Sequence, residues 1–194
     1  ITSFNNGSVT KIDTNGIGQF NTKLAYSDQL YGIDYHNNVL AVTSFKENKI
    51  YIINKNGTII RSFGSKGTAQ GKLFGPQGVA FDKDGNIYVV DSGNNRVQKF
   101  SQKGEFILSF GSEGSYENQF LNPTDLTISK NKIYITDTGN HRIAVYDIYG
   151  NFIKNTFVSS LVEPRGISSH GSRVIVSDSA KGIFIFDAES NATE

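Results

Sequence analysis

The chain has 194 residues, 19 basic against 18 acidic side chains, a net charge of +1, and no Cys, Met or Trp. Without cysteine it has no disulfides, thiolate metal sites or cysteine nucleophile. The mixed charge leaves no basic run to track a phosphate backbone, which argues against nucleic acid as a partner.

No apolar run approaches the roughly 18–20 residues that a membrane helix needs. Abundant Gly, Asn, Ile, Val, Phe and Tyr predict short strands joined by turns. The chain opens on Ile1 rather than Met, which reads as a processed product or as part of a longer chain.

In chain order, "ITSFNNGSVTKIDTNG" (Ile1–Gly16) aligns without a gap to "VTSFKENKIYIINKNG" (Val42–Gly57). The chain therefore begins at the end of a second strand and continues through Ser8–Ile12 and Ile17–Phe20. A full unit follows, with strands predicted at Gly32–Tyr35, Val39–Val42, Lys49–Ile53 and Thr58–Phe63. The next has them at Gly78–Phe81, Asn86–Val90, Arg96–Phe100 and Glu105–Phe110. The third has Asp125–Ile128, Lys132–Thr136, Arg142–Tyr146 and Asn151–Phe157. The last has Gly166–Ser168, Val174–Val176 and Ile183–Phe186.

The anchors Gly32, Gly78, Asp125 and Gly166 are 46, 47 and 41 residues apart. Four short strands per unit, in antiparallel meanders, predict an all-β fold of the β-propeller class. The expected blades are 30–75, 76–122 and 123–163, with partial blades at 1–22 and 164–194. That is about five blades' worth, three full and two partial, in one propeller domain or segment.

The second unit, "PQGVAFDKDGNIYVVDSGNNRVQKFSQKGEFILSFGSEG", and the third, "PTDLTISKNKIYITDTGNHRIAVYDIYGNFI", resemble the NHL-repeat family. The resemblance extends over nearly the whole chain and is strongest in these two units. It implies a six-bladed ring, about six strands more than are counted here. The missing blades would come from the same chain or from a partner, or five blades would close through a shared seam.

In such a ring the first strands line a channel. The loops from fourth to first strand and from second to third strand share one face, here called upper. Each anchor is preceded there by a different residue: Tyr31, Gln77, Thr124 and Arg165. The second-to-third loops add Arg96, His141 and Arg142. This polar, varied surface suits a protein, peptide or glycan partner, although ordinary solvated loops account for the same residues.

Asp91, Asp137 and Asp178 end the second strands. Asp in that place can accept N–H groups of the following turn, with Gly93 and Gly139 supplying a positive φ and Asn94, Asn95 and Asn140 tolerating left-handed backbone. Arg96 and Arg142 are placed to pair with an Asp of their own or a neighbouring blade. A cluster repeated in every blade reads as a corner rather than a site.

The leading expectation is thus a non-catalytic scaffold. The alternative, drawn from metal-dependent six-bladed relatives of the family, is a metal-assisted lyase or hydrolase acting at the channel. It would use His36, Asp82 and His170 at the lower mouth to hold Ca or Zn, with Asp34 and Asp125 on first strands nearby. No cofactor is otherwise expected, and the family's intracellular members add RNA as a third option. The sequons at Asn6, Asn56 and Asn191 are candidate glycosylation sites and suggest an extracellular or cell-surface home.

Overall fold

The structure, a computed structural model, describes residues 2–3, 7–24, 29–156 and 161–188. Within them the strands form five antiparallel meanders. The first is β1 (Thr2–Ser3), β2 (Ser8–Ile12) and β3 (Gly18–Lys23). Three four-stranded sheets follow: β4 (Leu30–His36), β5 (Val39–Ser44), β6 (Lys49–Asn54) and β7 (Ile59–Phe63); then β8 (Pro76–Phe81), β9 (Ile87–Asp91), β10 (Arg96–Phe100) and β11 (Phe106–Phe110); then β12 (Pro123–Ser129), β13 (Lys132–Asp137), β14 (Arg142–Asp147) and β15 (Phe152–Thr156). The last sheet has β16 (Pro164–His170), β17 (Arg173–Asp178) and β18 (Gly182–Asp187). The fold is all-β, built from propeller blades, as the repeat predicted.

The first strands begin earlier than their anchors. Pro76, Pro123 and Pro164 already oppose Asp91, Asp137 and Asp178, and a register shift separates each proline from the regular pairing beyond. Proline tolerates such a start because it has no N–H to give to the ladder. The anchor glycines sit where first strands of neighbouring blades nearly touch. A Cβ on Gly32 would lie 2.5 Å from the Gln77 carbonyl oxygen, and one on Gly78 would lie 2.6 Å from the Asp125 Cα.

Short Asx turns close the hairpins. The Asp82 carboxylate accepts the N–H groups of Asp84 (3.0 Å) and Asn86 (2.8 Å), and Asp147 does the same for Tyr149 and Asn151. Alternate residues of each blade face its two neighbours. Val79, Ile87, Val89 and Phe100 pack back onto Ala41, Ile50 and Ile52 of the preceding blade. Ala80, Tyr88, Val90 and Val97 pack forward onto Leu126, Ile133, Ile135 and Tyr146. The core is therefore a series of seams between blades.

Candidate functional site: the upper loop face

The second-to-third corner has a job that the sequence reading did not assign. After β9 the chain makes a short 3-10 turn, η1 (Ser92–Asn94), and β10 begins after one left-handed residue, Asn95 (φ 50°). The buried Asp91 carboxylate does not cap this turn. It accepts the Phe74 N–H (2.7 Å), the Asn94 amide (2.8 Å), the Arg96 Nε–H (2.8 Å) and the Gln98 amide (3.0 Å). The remaining Arg96 donors reach the carbonyls of Thr68 (2.8 Å), Ala69 (2.9 Å) and Lys72 (2.9 Å), and Asn94 also donates to Gly67. The group is a clasp around the loop that enters the blade.

The third blade repeats the clasp. Asp137 accepts from Leu121 N–H (2.8 Å), Asn140 (2.8 Å) and Arg142 Nε (2.7 Å), while Arg142 holds Ser115, Tyr116 and Gln119 by their carbonyls. Burial pushes the Asp137 carboxyl above its ordinary range, and its hydrogen bonds and Arg142 oppose that rise. In the last blade Gly182 stands where the arginine was. There Asp178 takes backbone N–H groups instead: Val162, Glu163, Ala180 and Lys181. Burial would raise the Asp178 carboxyl, but these bonds win and hold it below the ordinary range.

Two expectations need correction. Asp91 and Asp137 accept a backbone N–H from the incoming loop and only a side-chain amide from the turn that follows; Asp178 accepts backbone N–H groups from both. Gly93 and Gly139 are not at positive φ; the left-handed residues are Asn95 and His141 (φ 55°). The glycines are needed for closeness, since a Cβ on Gly93 would lie 2.6 Å from the Phe74 carbonyl oxygen and one on Gly139 would lie 2.7 Å from that of Leu121.

The left-handed residue also reaches forward to the next blade's loop. The Asn48 side chain accepts the Gly75 N–H (2.8 Å), and Asn95 accepts the Asn122 N–H (2.8 Å). His141 reverses the polarity: its Nδ1 meets the Val162 carbonyl, so that nitrogen carries the proton.

Inside the ring of clasps lies the channel mouth. Tyr31, Gln77, Thr124 and Arg165 line one cavity of ≈ 240 Å³. Gln77, Thr124 and Arg165 also line an adjoining depression of ≈ 590 Å³ that extends to His141 and Glu163. Tyr31 is 39% exposed and leans on Phe45 at 5.3 Å between ring centroids. Gln77 donates to the Ser92 hydroxyl (3.0 Å). The Thr124 hydroxyl is buried among Thr136, Thr138 and the Arg165 carbonyl, so it shapes the floor. Arg165 pairs with Glu163, and both remain substantially exposed.

Five of the seven expected binding residues thus line these two adjoining cavities, four in each, with Gln77, Thr124 and Arg165 common to both. Arg96 and Arg142 do not; their donors point inward to the clasped loops, and Arg142 is only 4% exposed.

Below the mouth, a channel cavity of ≈ 380 Å³ contains Asp34 and Asp125. Asp34 accepts the N–H of Phe81 (2.7 Å) from the neighbouring first strand, and Asp125 likewise accepts that of Ile167 (3.0 Å). Burial pushes the Asp125 carboxyl up to about 6, and the nearby Asp34 charge adds to the rise. Both residues stitch first strands together.

The lower-mouth trio does not converge. His36 lies against the Phe81 ring at 5.5 Å and meets the Asn37 amide. Asp82 is held by Asn86 and by Lys99 at 3.1 Å. His170 is exposed at the end of β16. Among the described residues no three His, Asp or Glu side chains could hold a metal ion. Of the sequons, Asn56 is exposed in the β6–β7 turn, while Asn6 and Asn191 lie outside the described residues.

Comparison with known proteins agrees with this geometry. The family model "NHL repeat" matches residues 75–100 and 120–146. The E3 ubiquitin-protein ligase TRIM71 of Rattus norvegicus is 52% identical over 42 residues, which are 22% of this chain and 5% of that protein. Among solved structures, a streptogramin B lyase superposes with a TM-score of 0.71 at 16% identity, over 98% of this chain and 65% of that one. Virginiamycin B lyase from Staphylococcus aureus gives 0.69 at 16% identity, over 98% and 66%. A chain of a nidogen/laminin complex gives 0.71 at 18%, over 93% and 68%. This chain therefore spans about two thirds of those propellers and a small fraction of the ligase. The two family matches fall on the two blades with the complete clasp, and these two blades carry NHL repeats within a β-propeller fold.

Proposed function

We propose that the chain is a non-catalytic binding scaffold that presents its upper loop face to a protein, peptide or glycan. One observation carries the reading: Tyr31, Gln77, Arg165 and His141, at positions where the blades differ from one another, are gathered at the channel mouth. The residues that recur in the second and third full blades, Asp91, Asn94 and Arg96 with Asp137, Asn140 and Arg142, have become framework. An exposed tyrosine, a cation and a histidine around a small cavity can engage polar and aromatic groups of a partner. Of the three upper-face arginines that could favour a polyanion, two are committed to inner carbonyls. This supports a protein, peptide or glycan over nucleic acid.

The last blade favours continuation of the ring. Ile175, Ile183 and Ile185 are 38%, 73% and 63% exposed, at positions whose counterparts Tyr88, Val97 and Lys99 are buried in the second blade. A further blade, from the same chain or from a partner, would cover them. An extracellular setting rests on the exposed Asn56 sequon.

The test is peptide selection from a random library, followed by amide shift mapping with a selected peptide. Shifts centred on residues 31, 77, 141 and 165, lost in Tyr31→Ala and Arg165→Ala without loss of fold, support the reading. Shifts on the lower face, or selection unaffected by both substitutions, refute it.

A further inference from the structure

The seams between blades are not filled alike. Between the first and second full blades, Phe63, Phe81, Phe100 and Phe106 pack together, with Phe63 and Phe100 at 5.1 Å. Between the second and third, Phe110, Phe120, Tyr146 and Phe152 do the same, with Phe110 and Tyr146 at 4.6 Å. The strand registers identify the matching positions at the seam between the opening sheet and the first full blade. Where the others hold Phe63, Phe100 and Phe106, or Phe110, Tyr146 and Phe152, this seam holds Thr22, Ile53 and Ile59.

Three aromatic rings are thus replaced by small or aliphatic side chains, so this seam is filled differently from the other two. The same seam also holds a cavity of ≈ 270 Å³, with apolar walls from Val9, Phe20, Ile33 and Leu40. Its rim carries Lys11 and Lys55, both exposed, and no carboxylate among the described lining residues. An apolar cavity of about 150 Å³ admits a benzene-sized guest, so this one has room for a chain of about eight carbons. Two ammonium groups at the opening select the charge of the head.

We propose that this seam binds a medium-chain alkyl carboxylate, with the chain between β2 and β5 and the carboxylate at Lys11 and Lys55. The site is separate from the upper face and does not depend on its function. The driving force is apolar burial, and the lysines contribute orientation and charge selection.

Titration with sodium octanoate, followed by amide shifts, tests the proposal. Saturable shifts at residues 9, 10, 20 and 40 are expected, with a dissociation constant on the order of millimolar. Octyltrimethylammonium and 1-octanol should bind at least about tenfold more weakly, and the double variant Lys11→Glu/Lys55→Glu should weaken octanoate by about tenfold. Leu40→Phe, which places a ring in the cavity, should abolish the shifts. Since Leu40 is partly buried, the surface double variant keeps the test valid if Leu40→Phe fails to fold. Equal binding of the three octyl compounds, octanoate shifts located elsewhere, or no saturation overturns the proposal.

Discussion

Replacing Arg142 by Met tests the clasp most directly. The substitution keeps the aliphatic stem and removes every donor. Arg142 is only 4% exposed, its partner Asp137 is 0% exposed, and their contact is 2.7 Å. Breaking a buried pair from one side strands the other charge, which costs about 3–5 kcal/mol. Asp137 keeps the Leu121 and Asn140 bonds, so the lower half of that range is expected. With a urea m-value of about 2 kcal/mol/M, the unfolding midpoint should fall by about 1.5–2 M.

The sign of the pH effect follows from burial. The Asp137 carboxyl already lies above its ordinary range, and losing the guanidinium raises it further. The ionised form then weakens the fold most at neutral pH, and protonation relieves it. The deficit of the variant should therefore shrink as pH falls through the raised pKa. Urea unfolding at pH 7 and pH 5, with hydrogen exchange of the clasped loop, measures both effects. A loss under about 1 kcal/mol, or unchanged exchange over residues 113–121, refutes the clasp.

Gly93→Ala should destabilise by about 1–3 kcal/mol in thermal unfolding, because its Cβ would meet the Phe74 carbonyl oxygen at 2.6 Å. Tyr146→Phe should raise the melting temperature, since the buried Tyr146 hydroxyl has no hydrogen-bond partner among the described residues and its removal relieves about 1–2 kcal/mol. The Asp125 carboxyl carbon should titrate near pH 6 by NMR. With its folded pKa above the ordinary carboxylate value, ionised Asp125 weakens the fold, so its contribution improves by about 1 kcal/mol from pH 7 to pH 5, and Asp125→Gly removes that increment.

The sequence displays its period because every blade meets the same two demands: alternate faces must be buried, and the chain must turn at fixed intervals. Strand identity, blade order and the sharing of one face by two kinds of loop all follow from that repetition. The clasp was only half visible. Asp91, Asn94 and Arg96 recur as Asp137, Asn140 and Arg142, but their partners are carbonyls of a preceding loop, and backbone carbonyls carry no residue signature. A second signal was available: Gly64-Ser65-Lys66-Gly67 recurs as Gly111-Ser112-Glu113-Gly114, each forming a parallel bridge to the residue seven places on. Gly93 and Gly139 answer a demand for closeness rather than for a positive φ, and a sequence shows that Gly is present but not which neighbour excludes a Cβ.

Repetition also explains where departures carry meaning. A residue that recurs at the same register position answers a demand of the blade, and its chemistry is consumed there, as with the donors of Arg96 and Arg142. A residue that breaks the register pattern is released from that demand. His141 stands where Asn48 and Asn95 stand and exchanges an acceptor for a donor toward the next blade. Its bond uses Nδ1, and the residue also lines the depression that Arg165 and Gln77 share. Thr22, Ile53 and Ile59 break the aromatic pattern of the seams, and the seam they belong to is the one that holds the apolar cavity beside Lys11 and Lys55. In both places the repeat sets the expected residue, and the deviation from it locates chemistry that the framework does not need for its own folding.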